Sequence, residues 1–177
     1  HEDPRRQRQM CIRDSIGDKV KFIEDAINLI KNQNILTNIK LSQIYKAKAY
    51  LPNNAPDDWD MTFINMAISG DCDLDPAELL NAIKKIERKL GRIDRGFWGP
   101  REIDIDILIY GDKEIILENL IIPHKYLLER PFALIPSCDL LPNFKYPKKG
   151  SFYGKKLIEI KESAKFTANE CILSNEY

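Results

Sequence analysis

Apolar residues recur at two different spacings along the chain, which predicts both helices and strands. In "GDKVKFIEDAINLIKNQ" they fall every three or four positions, at Val20, Ile23, Ile27 and Ile30, which is the spacing of one helix face. The next segment alternates and is predicted to form a strand over Ile39 to Tyr50. After a loop rich in proline and asparagine, "MTFINMAISGDCDL" is predicted to form a second strand.

The second helix is marked by its cap as well as by its period. In "DPAELLNAIKKIERKLG", Asp75 suits the N-cap, Pro76 suits the first helical position, and Glu78 completes a capping box. A single apolar stripe follows, made of Leu79, Ile83, Ile86 and Leu90. The helix is predicted to end at Gly91.

The order of the predicted elements indicates the fold class. "EIDIDILIY" is a predicted strand, "KEIILENLIIPH" is a predicted strand and turn, and "KYLLERPFALIPSCDLLP" is predicted to form a short helix followed by a segment that prolines interrupt. Because strands do not alternate with helices, a doubly wound parallel sheet is disfavoured. The pattern favours an α+β fold, ferredoxin-like, with a mostly antiparallel sheet and helices packed on it. Such a fold needs a strand before the first helix, and that strand is predicted to be missing or replaced.

The two ends lack a clear pattern. Residues 1–15, "HEDPRRQRQMCIRDS", show neither hydrophobic period and are predicted to be a non-native or disordered arm, since "RRQRQMCIRDS" resembles a translated sequencing adapter. The predicted domain covers residues 16–150. Residues 151–177 are predicted to be an extension or a linker to a fused domain, in which "KKLIEIKESAKF" fits a helix or a strand equally well.

Composition narrows the function classes. Lys and Arg together number 27, as do Asp and Glu, so the chain lacks the basic excess typical of nucleic-acid or membrane-surface binding. No apolar run approaches the ~20 residues that span a bilayer. The 4 cysteines form no C-x-x-C pair, which argues against a zinc site. Together these features predict a cytoplasmic protein with reduced thiols.

Two carboxylates stand out in the strand "EIDIDILIY". Side chains alternate along a strand, so Asp104 and Asp106 share one face, with Cα atoms roughly 6.6 Å apart, while isoleucines take the other. At about 6 Å and an effective dielectric of about 20, two carboxylates repel by about 3 kcal/mol. A divalent cation would remove this repulsion, and ligation by oxygen alone suits Mg²⁺. The alternative is an amphipathic strand whose polar face meets water.

Basic and aromatic residues near this strand favour a phosphate site. Arginine forks match phosphate oxygens, and flat aromatic side chains can stack on a ring. The candidates are Arg92, Arg101, His124 and Arg130, with Trp98 and Phe132 as aromatic walls. Each residue alone also fits a solvated surface or a core position.

The motifs resemble a known family. "WGPREIDIDIL" is similar to the motif of 6-hydroxymethyl-7,8-dihydropterin pyrophosphokinases, which runs aromatic-G-P-R, two residues, then D-x-D. "FINMAI" and "IERKLGR" upstream, and "IPHKYLLERPFALIP" downstream, follow the family's order. The resemblance covers about Gly17 to Pro142.

The resemblance implies a ferredoxin-like α+β fold and an enzyme of folate biosynthesis. Such an enzyme transfers diphosphate from ATP to the pterin hydroxymethyl group and releases AMP. Asp104 and Asp106 match the carboxylates that hold two Mg²⁺ ions, and Arg92 and Arg101 match catalytic positions. The ATP-binding positions correspond to Glu87, Arg92, Ile107, His124 and Arg130. The pterin-binding positions correspond to Asn65, Trp98 and Phe132.

The chain also departs from the family pattern. "RDSIGD" stands where the family has a strand ending in Gly-Ser-Asn, and Phe63 stands where tyrosine is common. Asn119 and Ile121 replace an arginine and a threonine. Residues 52–60 are expected to act as a lid, since a mobile loop closes over the site in this family. The family also occurs fused to other folate-pathway enzymes, so a fusion partner is expected, and the alternative is a truncated fragment that binds ATP or pterin without turnover.

Overall fold

The computed structural model describes residues 7–14, 19–48, 61–93, 102–166 and 170–174. Its strands are β1 (Gln7–Asp14), β2 (Thr37–Leu41), β3 (Tyr45–Lys48), β4 (Thr62–Asp71), β5 (Asp104–Tyr110), β6 (Ile115–Leu117), β7 (Leu120–Ile122) and β8 (Ile172–Leu173). Its helices are α1 (Lys19–Asn32), α2 (Pro76–Lys89), α3 (Pro131–Leu140) and α4 (Leu157–Ser163). Helices pack on an antiparallel sheet, so the predicted α+β class is confirmed.

The main sheet runs in the order β5-β1-β4-β3-β8, and β2 also pairs with β4. Every pairing between the described strands is antiparallel. β1 therefore lies inside the sheet, with β4 on one side and β5 on the other. β6 and β7 form a separate two-stranded hairpin.

β1 corrects the prediction for the N-terminus. Of the two expected outcomes for the first strand, missing or replaced, the first is wrong. Residues 7–14 form a strand in that place and are not a disordered arm, because they pair with a strand on each side. Met10 and Ile12 are fully buried on one face. On the other face Gln9 is also buried and donates its side-chain amide to the carbonyl of Ser137. Because polar residues on that face contact other parts of the protein instead of water, the sequence of β1 lacks the regular alternation of apolar and polar residues that marks a half-exposed strand.

Two apolar cores lie on opposite faces of the sheet. One contains Ile12 and Ile105 together with side chains of α1 and α2. The other contains Cys11 and Leu108 together with side chains of α3 and α4. α2 begins as predicted, with Asp75 and Glu78 exchanging the two capping-box hydrogen bonds.

The C-terminal segment packs against the same domain. Leu157 and Ile160 of α4 are buried in the second core, and β8 pairs with β3. The sequence pattern of "KKLIEIKESAKF" fits a helix or a strand equally well, and in the structure its central part is the helix α4. The described part of residues 151–177 thus belongs to the folded unit, whereas the sequence predicts a separate extension. The non-native origin of residues 1–15 stays a prediction.

Three elements differ in detail from the prediction. The single strand predicted over 39–50 is two strands, because the Ser42 hydroxyl enters the ladder and accepts a hydrogen bond from the Ala67 N–H at 2.8 Å. "KEIILENLIIPH" is the hairpin of β6 and β7 rather than one strand. α3 starts at Pro131 and includes Pro136. Because proline has no backbone N–H, one carbonyl of this helix loses its usual hydrogen bond and can accept one from another donor.

Several sequence predictions concern segments outside the described residues. The expected lid at residues 52–60 is one of them, and residues 94–101, which include Trp98 and Arg101, are another. Among the described helices, none has the length and apolar character needed to cross a membrane. The four cysteines are free thiols in this structure.

Ile12→Ala tests whether β1 is an interior strand. Truncating this fully buried side chain should lower the free energy of unfolding by about 2–4 kcal/mol, measured by urea denaturation. Ile116→Ala is the control, because Ile116 is 80% exposed, and its effect should stay below about 0.5 kcal/mol. Equal stability of the Ile12→Ala protein and the parent would mean that β1 does not form in solution.

Candidate active site

Side chains from three neighbouring strands form a row across the sheet. Arg13 of β1 lies opposite Asn65 of β4 and opposite Asp104 of β5. Directly opposed residues of antiparallel strands point to the same face. By the alternation of the strand, Cys11 and Asp106 form the next row on that face. Both rows face the side of the sheet on which α3 packs.

Asp104 is the buried anion of the first row. Its side chain is 6% exposed, and Arg13 Nη2 lies 2.6 Å from its Oδ2. Arg92 Nη1 lies 3.3 Å from its Oδ1, so each carboxylate oxygen faces a guanidinium. A buried carboxylate is costly unless it is paired. The two arginines therefore pair with both oxygens of Asp104 and fix the carboxylate in position.

Glu87 of α2 connects the helix to β5. The side chain is 1% exposed, and its Oε1 accepts a hydrogen bond from the backbone N–H of Ile105 at 2.8 Å. Its Oε2 pairs with Arg92 and lies 2.9 Å from Lys84 Nζ. Both oxygens are thus engaged within the protein. Glu87 orients Arg92, which reaches on to Asp104.

Asp106 differs from Asp104 in having an open carboxylate. It is half-buried and borders two cavities. With the residues that the structure describes, its carboxylate makes neither a hydrogen bond nor an ion pair. It is therefore the carboxylate of this strand that can take a new cation without losing an existing partner.

A divalent metal such as Mg²⁺ would meet one open carboxylate, that of Asp106, and one whose two oxygens each face an arginine, that of Asp104. Within the described ranges no three His, Cys, Asp or Glu residues cluster as a metal site. Mg²⁺ does not require such a cluster, because waters and substrate phosphates complete its shell around one or two carboxylates. The Arg13 guanidinium already binds Asp104 as a cation, which shows that this carboxylate attracts positive charge. Oxygen-only ligation from Asp104 and Asp106 thus suits Mg²⁺.

A cavity of about 240 Å³ opens along the outer edge of β5. Lys84, His124 and Lys125 contribute positive or hydrogen-bonding groups to its walls. The N–H of Ile105 points away from β1, toward Glu87. Because strand backbone groups alternate in direction, the N–H and C=O of Ile107 point outward as well. The cavity thus combines basic side chains with backbone N–H and C=O groups on the outer edge of β5.

His124 lies between the two cavities. Its Nδ1 accepts a hydrogen bond from the N–H of Tyr126 at 3.3 Å. Burial lowers the pKa of His124, the carboxylate of Asp106 opposes that shift, and Arg130 adds to it. The net lowering favours a neutral ring. With Nδ1 as acceptor, the neutral ring carries its proton on Nε2 and offers a donor there.

Arg130 and Phe132, at the start of α3, enclose the second cavity. The Arg130 guanidinium lies 4.1 Å from the ring centre of Tyr126 and 5.7 Å from that of Phe132. Burial raises the pKa of the Cys11 thiol to about 12, so the thiol is neutral, and its Sγ lies 3.8 Å from the Phe132 carbonyl. The space left among these residues is only about 10 Å³.

Asn65 carries an unsatisfied polar atom in the first row. The side chain is fully buried, and its Nδ2 donates to the carbonyl of Phe63 at 3.4 Å. Its Oδ1 has no hydrogen-bond partner among the described residues. Burying an acceptor without a donor costs about 1–3 kcal/mol. A ligand that donates a hydrogen bond here would remove that cost.

The structure brings the described candidate residues to one end of the sheet. Around β5 lie Glu87, Arg92, Asp104, Asp106, Ile107 and His124, and around α3 and β4 lie Asn65, Arg130 and Phe132. The roles of these residues stay predictions. Trp98 and Arg101 fall outside the described residues.

Sequence reasoning missed Arg13. In the sequence it stands only as a departure from the family's Gly-Ser-Asn. The available signal was its place directly after Ile12, since consecutive strand residues point to opposite faces. An apolar residue facing the core puts its neighbour on the site face, but this inference requires the strand to be recognised first.

Comparison with known proteins identifies the family. Residues 12–142 match 7,8-dihydro-6-hydroxymethylpterin-pyrophosphokinase. The chain is 37% identical over 159 residues to the 2-amino-4-hydroxy-6-hydroxymethyldihydropteridine pyrophosphokinase of Aquifex aeolicus, a match that covers 90% of this chain and 92% of that protein. It is 40% identical over 149 residues to the folate synthesis bifunctional protein of Chlamydia muridarum, covering 82% of this chain and 33% of the relative. The chain thus spans about a third of the bifunctional relative.

Solved structures share the fold. A structure described as HPPK-DHPS in complex with substrates matches with a TM-score of 0.63 at 16% identity, covering 90% of this chain and 43% of that one. A Plasmodium falciparum HPPK-DHPS variant with pterin and p-hydrobenzoate matches with a TM-score of 0.64 at 16% identity, covering 89% and 44%. At such identities the likeness shows the fold alone. The sequence matches show more, and the chain belongs to the 7,8-dihydro-6-hydroxymethylpterin-pyrophosphokinase family.

Proposed function

We propose that the chain transfers diphosphate from ATP to 6-hydroxymethyl-7,8-dihydropterin, releasing AMP, as a step of folate biosynthesis. The observation that carries the proposal is the arrangement of Asp104 and Asp106 on one face of β5. On one side of them lies the cavity of about 240 Å³, and on the other lie Asn65 and Phe132. A phosphate donor and a flat acceptor can therefore meet at the carboxylates.

The larger cavity is the proposed ATP site. The outward backbone groups of Ile107 can hydrogen-bond the edge of an adenine ring, which explains why an apolar residue matches a nucleotide-binding position. His124 and Arg130 are proposed to contact the phosphates. A neutral His124 can donate from Nε2, and the planar Arg130 fork can donate to two phosphate oxygens at once.

The proposed pterin site lies around the first row. A pterin ring has N–H donors, which suit the unpaired Oδ1 of Asn65. Phe132 offers an aromatic face against which a flat ring can stack. Trp98 is proposed as the second aromatic wall, and Arg101 as a catalytic cation, on the strength of the family resemblance alone.

Asp104 and Asp106 would hold Mg²⁺, as the family resemblance implies. When bound, the metal would neutralise charge on the phosphate oxygens, which is the largest electrostatic demand of phosphoryl-type transfer. The protein's own contribution is positioning and charge. Arg92, held by Glu87, is a preoriented donor for charge that develops on the transferred group. No protein nucleophile is needed, because the pterin hydroxyl is itself the acceptor.

Glu87 is proposed to act on the nucleotide indirectly. The family resemblance places it at an ATP-binding position, but both of its oxygens are engaged by Ile105, Lys84 and Arg92. It therefore fixes the backbone edge and the guanidinium that would contact ATP. This is the way in which a fully buried carboxylate can affect nucleotide binding without touching it.

The wider context is also a proposal. Relatives in Chlamydia carry the name folate synthesis bifunctional protein, which supports a fusion of this domain to another folate-pathway enzyme. A cytoplasmic location stays a prediction from composition. The alternative of a binding fragment without turnover depended on a missing first strand, and β1 fills that place in the sheet.

Substitution of the aspartates tests the proposed reaction. With ATP, Mg²⁺ and the reduced hydroxymethyl pterin, the parent chain should form AMP, measured by chromatography. Asp106→Asn and Asp104→Ala should each lower this rate more than about a hundredfold, since even groups behind the metal ligands typically contribute about 10–100-fold. Asp112→Asn, an exposed carboxylate just past the end of β5, is the matched control and should keep the rate. Normal turnover in either site variant would refute the metal assignment, and an inactive parent chain would refute the reaction.

Glu87→Gln tests the indirect action of that residue. Losing the charge that holds Arg92 and Lys84 should lower the free energy of unfolding by about 1–3 kcal/mol and kcat by about tenfold. The KM for ATP should rise together with this loss of stability, because the backbone edge and the guanidinium that Glu87 fixes would both shift. Glu24→Gln, on the exposed face of α1, is the charge-matched control and should change neither quantity. A large rise in KM with unchanged stability would instead indicate direct contact between Glu87 and the nucleotide.

A further inference from the structure

Arg13 occupies the centre of the proposed substrate site. Its guanidinium carbon lies 5.3 Å from the ring centre of Phe63 and 5.7 Å from that of Phe132. Its Nη2 lies 2.6 Å from Asp104 Oδ2. The same side chain thus fills the space beside the aromatic wall and covers the carboxylate proposed to bind metal. The guanidinium is attracted both to the aromatic faces and to the carboxylate, and these attractions stabilise Arg13 in this position.

The volume beside Arg13 is too small for a substrate ring. The cavity that it borders with Cys11 and Phe132 is about 10 Å³. That is about the space of one water molecule, whereas sites for small molecules usually measure about 300–1,000 Å³. Asn65 lies directly across from Arg13, and its buried Oδ1 has no hydrogen-bond partner among the described residues. A flat ring can reach Asn65 and Phe132 only if the guanidinium leaves.

The charge of Arg13 opposes metal binding at the same place. A divalent cation on Asp104 must displace the hydrogen bond from Nη2 and then lie close to a like charge. Arg92 already covers the other oxygen of Asp104. Of the two arginine side chains on Asp104, that of Arg13 is the more exposed, at 25% against 19%. Arg13 is also not held by Glu87, so it is the side chain that can turn outward.

We propose that Arg13 is a tethered occupant of the active site, which a divalent cation and the pterin ring must displace before they bind. The inference rests on the proposed function, because it takes Asp104 as a metal ligand and Phe132 as a ring-stacking wall. β1 fixes the backbone of Arg13 beside both, while the long side chain can change rotamer without unfolding the strand. Arg13 therefore lowers the affinity of the free chain for metal and pterin together.

Two substitutions separate charge from volume. Arg13→Met keeps an unbranched side chain of similar length without the charge, and Arg13→Ala removes both charge and bulk. Mn²⁺ binding, followed by electron paramagnetic resonance, should become about tenfold tighter in both variants, the change expected when one charge-assisted hydrogen bond no longer competes. Binding of the reduced pterin, followed by calorimetry, should tighten more in Arg13→Ala than in Arg13→Met.

Arg8→Met is the matched control. Arg8 lies on the same strand and is buried, but its guanidinium stacks on Tyr110, 3.2 Å from the ring centre, away from Asp104. Like the two Arg13 substitutions, Arg8→Met removes one positive charge from β1, but it should leave the Mn²⁺ affinity unchanged. Thermal unfolding of all variants shows whether the fold persists, and the comparison is made at a temperature at which every variant is folded.

The outcomes distinguish this inference from the proposed function. Unchanged or weaker Mn²⁺ binding in both Arg13 variants overturns it, whether or not the parent chain forms AMP. Weaker pterin binding in the variants also overturns it, because Arg13 would then be a substrate contact. Tighter Mn²⁺ and pterin binding supports it even if no variant forms AMP, and in that case only the proposed reaction fails.

Discussion

The pairing of β1 between β4 and β5 determines both the core and the candidate site. Its register puts Ile12 against Ile105 under α1 and α2, and puts Arg13 between Asn65 and Asp104 on the opposite face. A shift by one residue would reverse both faces at once, because strand side chains alternate. Burial of the isoleucines therefore fixes the position of the polar row. The stability of the sheet and the geometry of the site are consequences of the same register.

The electrostatics of the site depend on which cations pair with each of its two buried carboxylates. Glu87 and Asp104 are both almost fully buried, and Arg92 bridges them. Arg13 and Lys84 supply further cations from β1 and α2. In this cluster Glu87 and Asp104 each have more than one cation as a partner, and only a change that left one of them with none would bury an uncompensated charge. Asp106 stands beside this cluster with an open carboxylate, and it is the group at which the proposed cation would bind without displacing a partner.

Local sequence signals were sufficient for the elements that carry a helix cap or a regular alternation of polar and apolar residues. α2 was predicted from its capping box and stripe, and β5 from its alternating aspartates and isoleucines. The sequence does not predict β1, because this strand is interior and its polar residues contact other parts of the protein instead of water. Its pattern therefore matches neither the period of a helix nor that of a half-exposed strand. For the hairpin of β6 and β7 the sequence predicts one strand and a turn, because the turn between the two strands carries no glycine or proline. The D-x-D pair was identified from sequence, but the ion pair of Arg13 with Asp104 depends on strand pairing over 91 positions of sequence, and no local pattern encodes it.

A crystal structure of the full chain with Mn²⁺, an ATP analogue that cannot be cleaved and the pterin substrate would show whether metal and ring meet at β5. We expect anomalous density for manganese against the carboxylates of Asp104 and Asp106, a ring stacked on Phe132, and the Arg13 guanidinium turned away from Asp104. Manganese bound elsewhere, with Arg13 still on Asp104 and the ring absent from Phe132, would contradict this expectation.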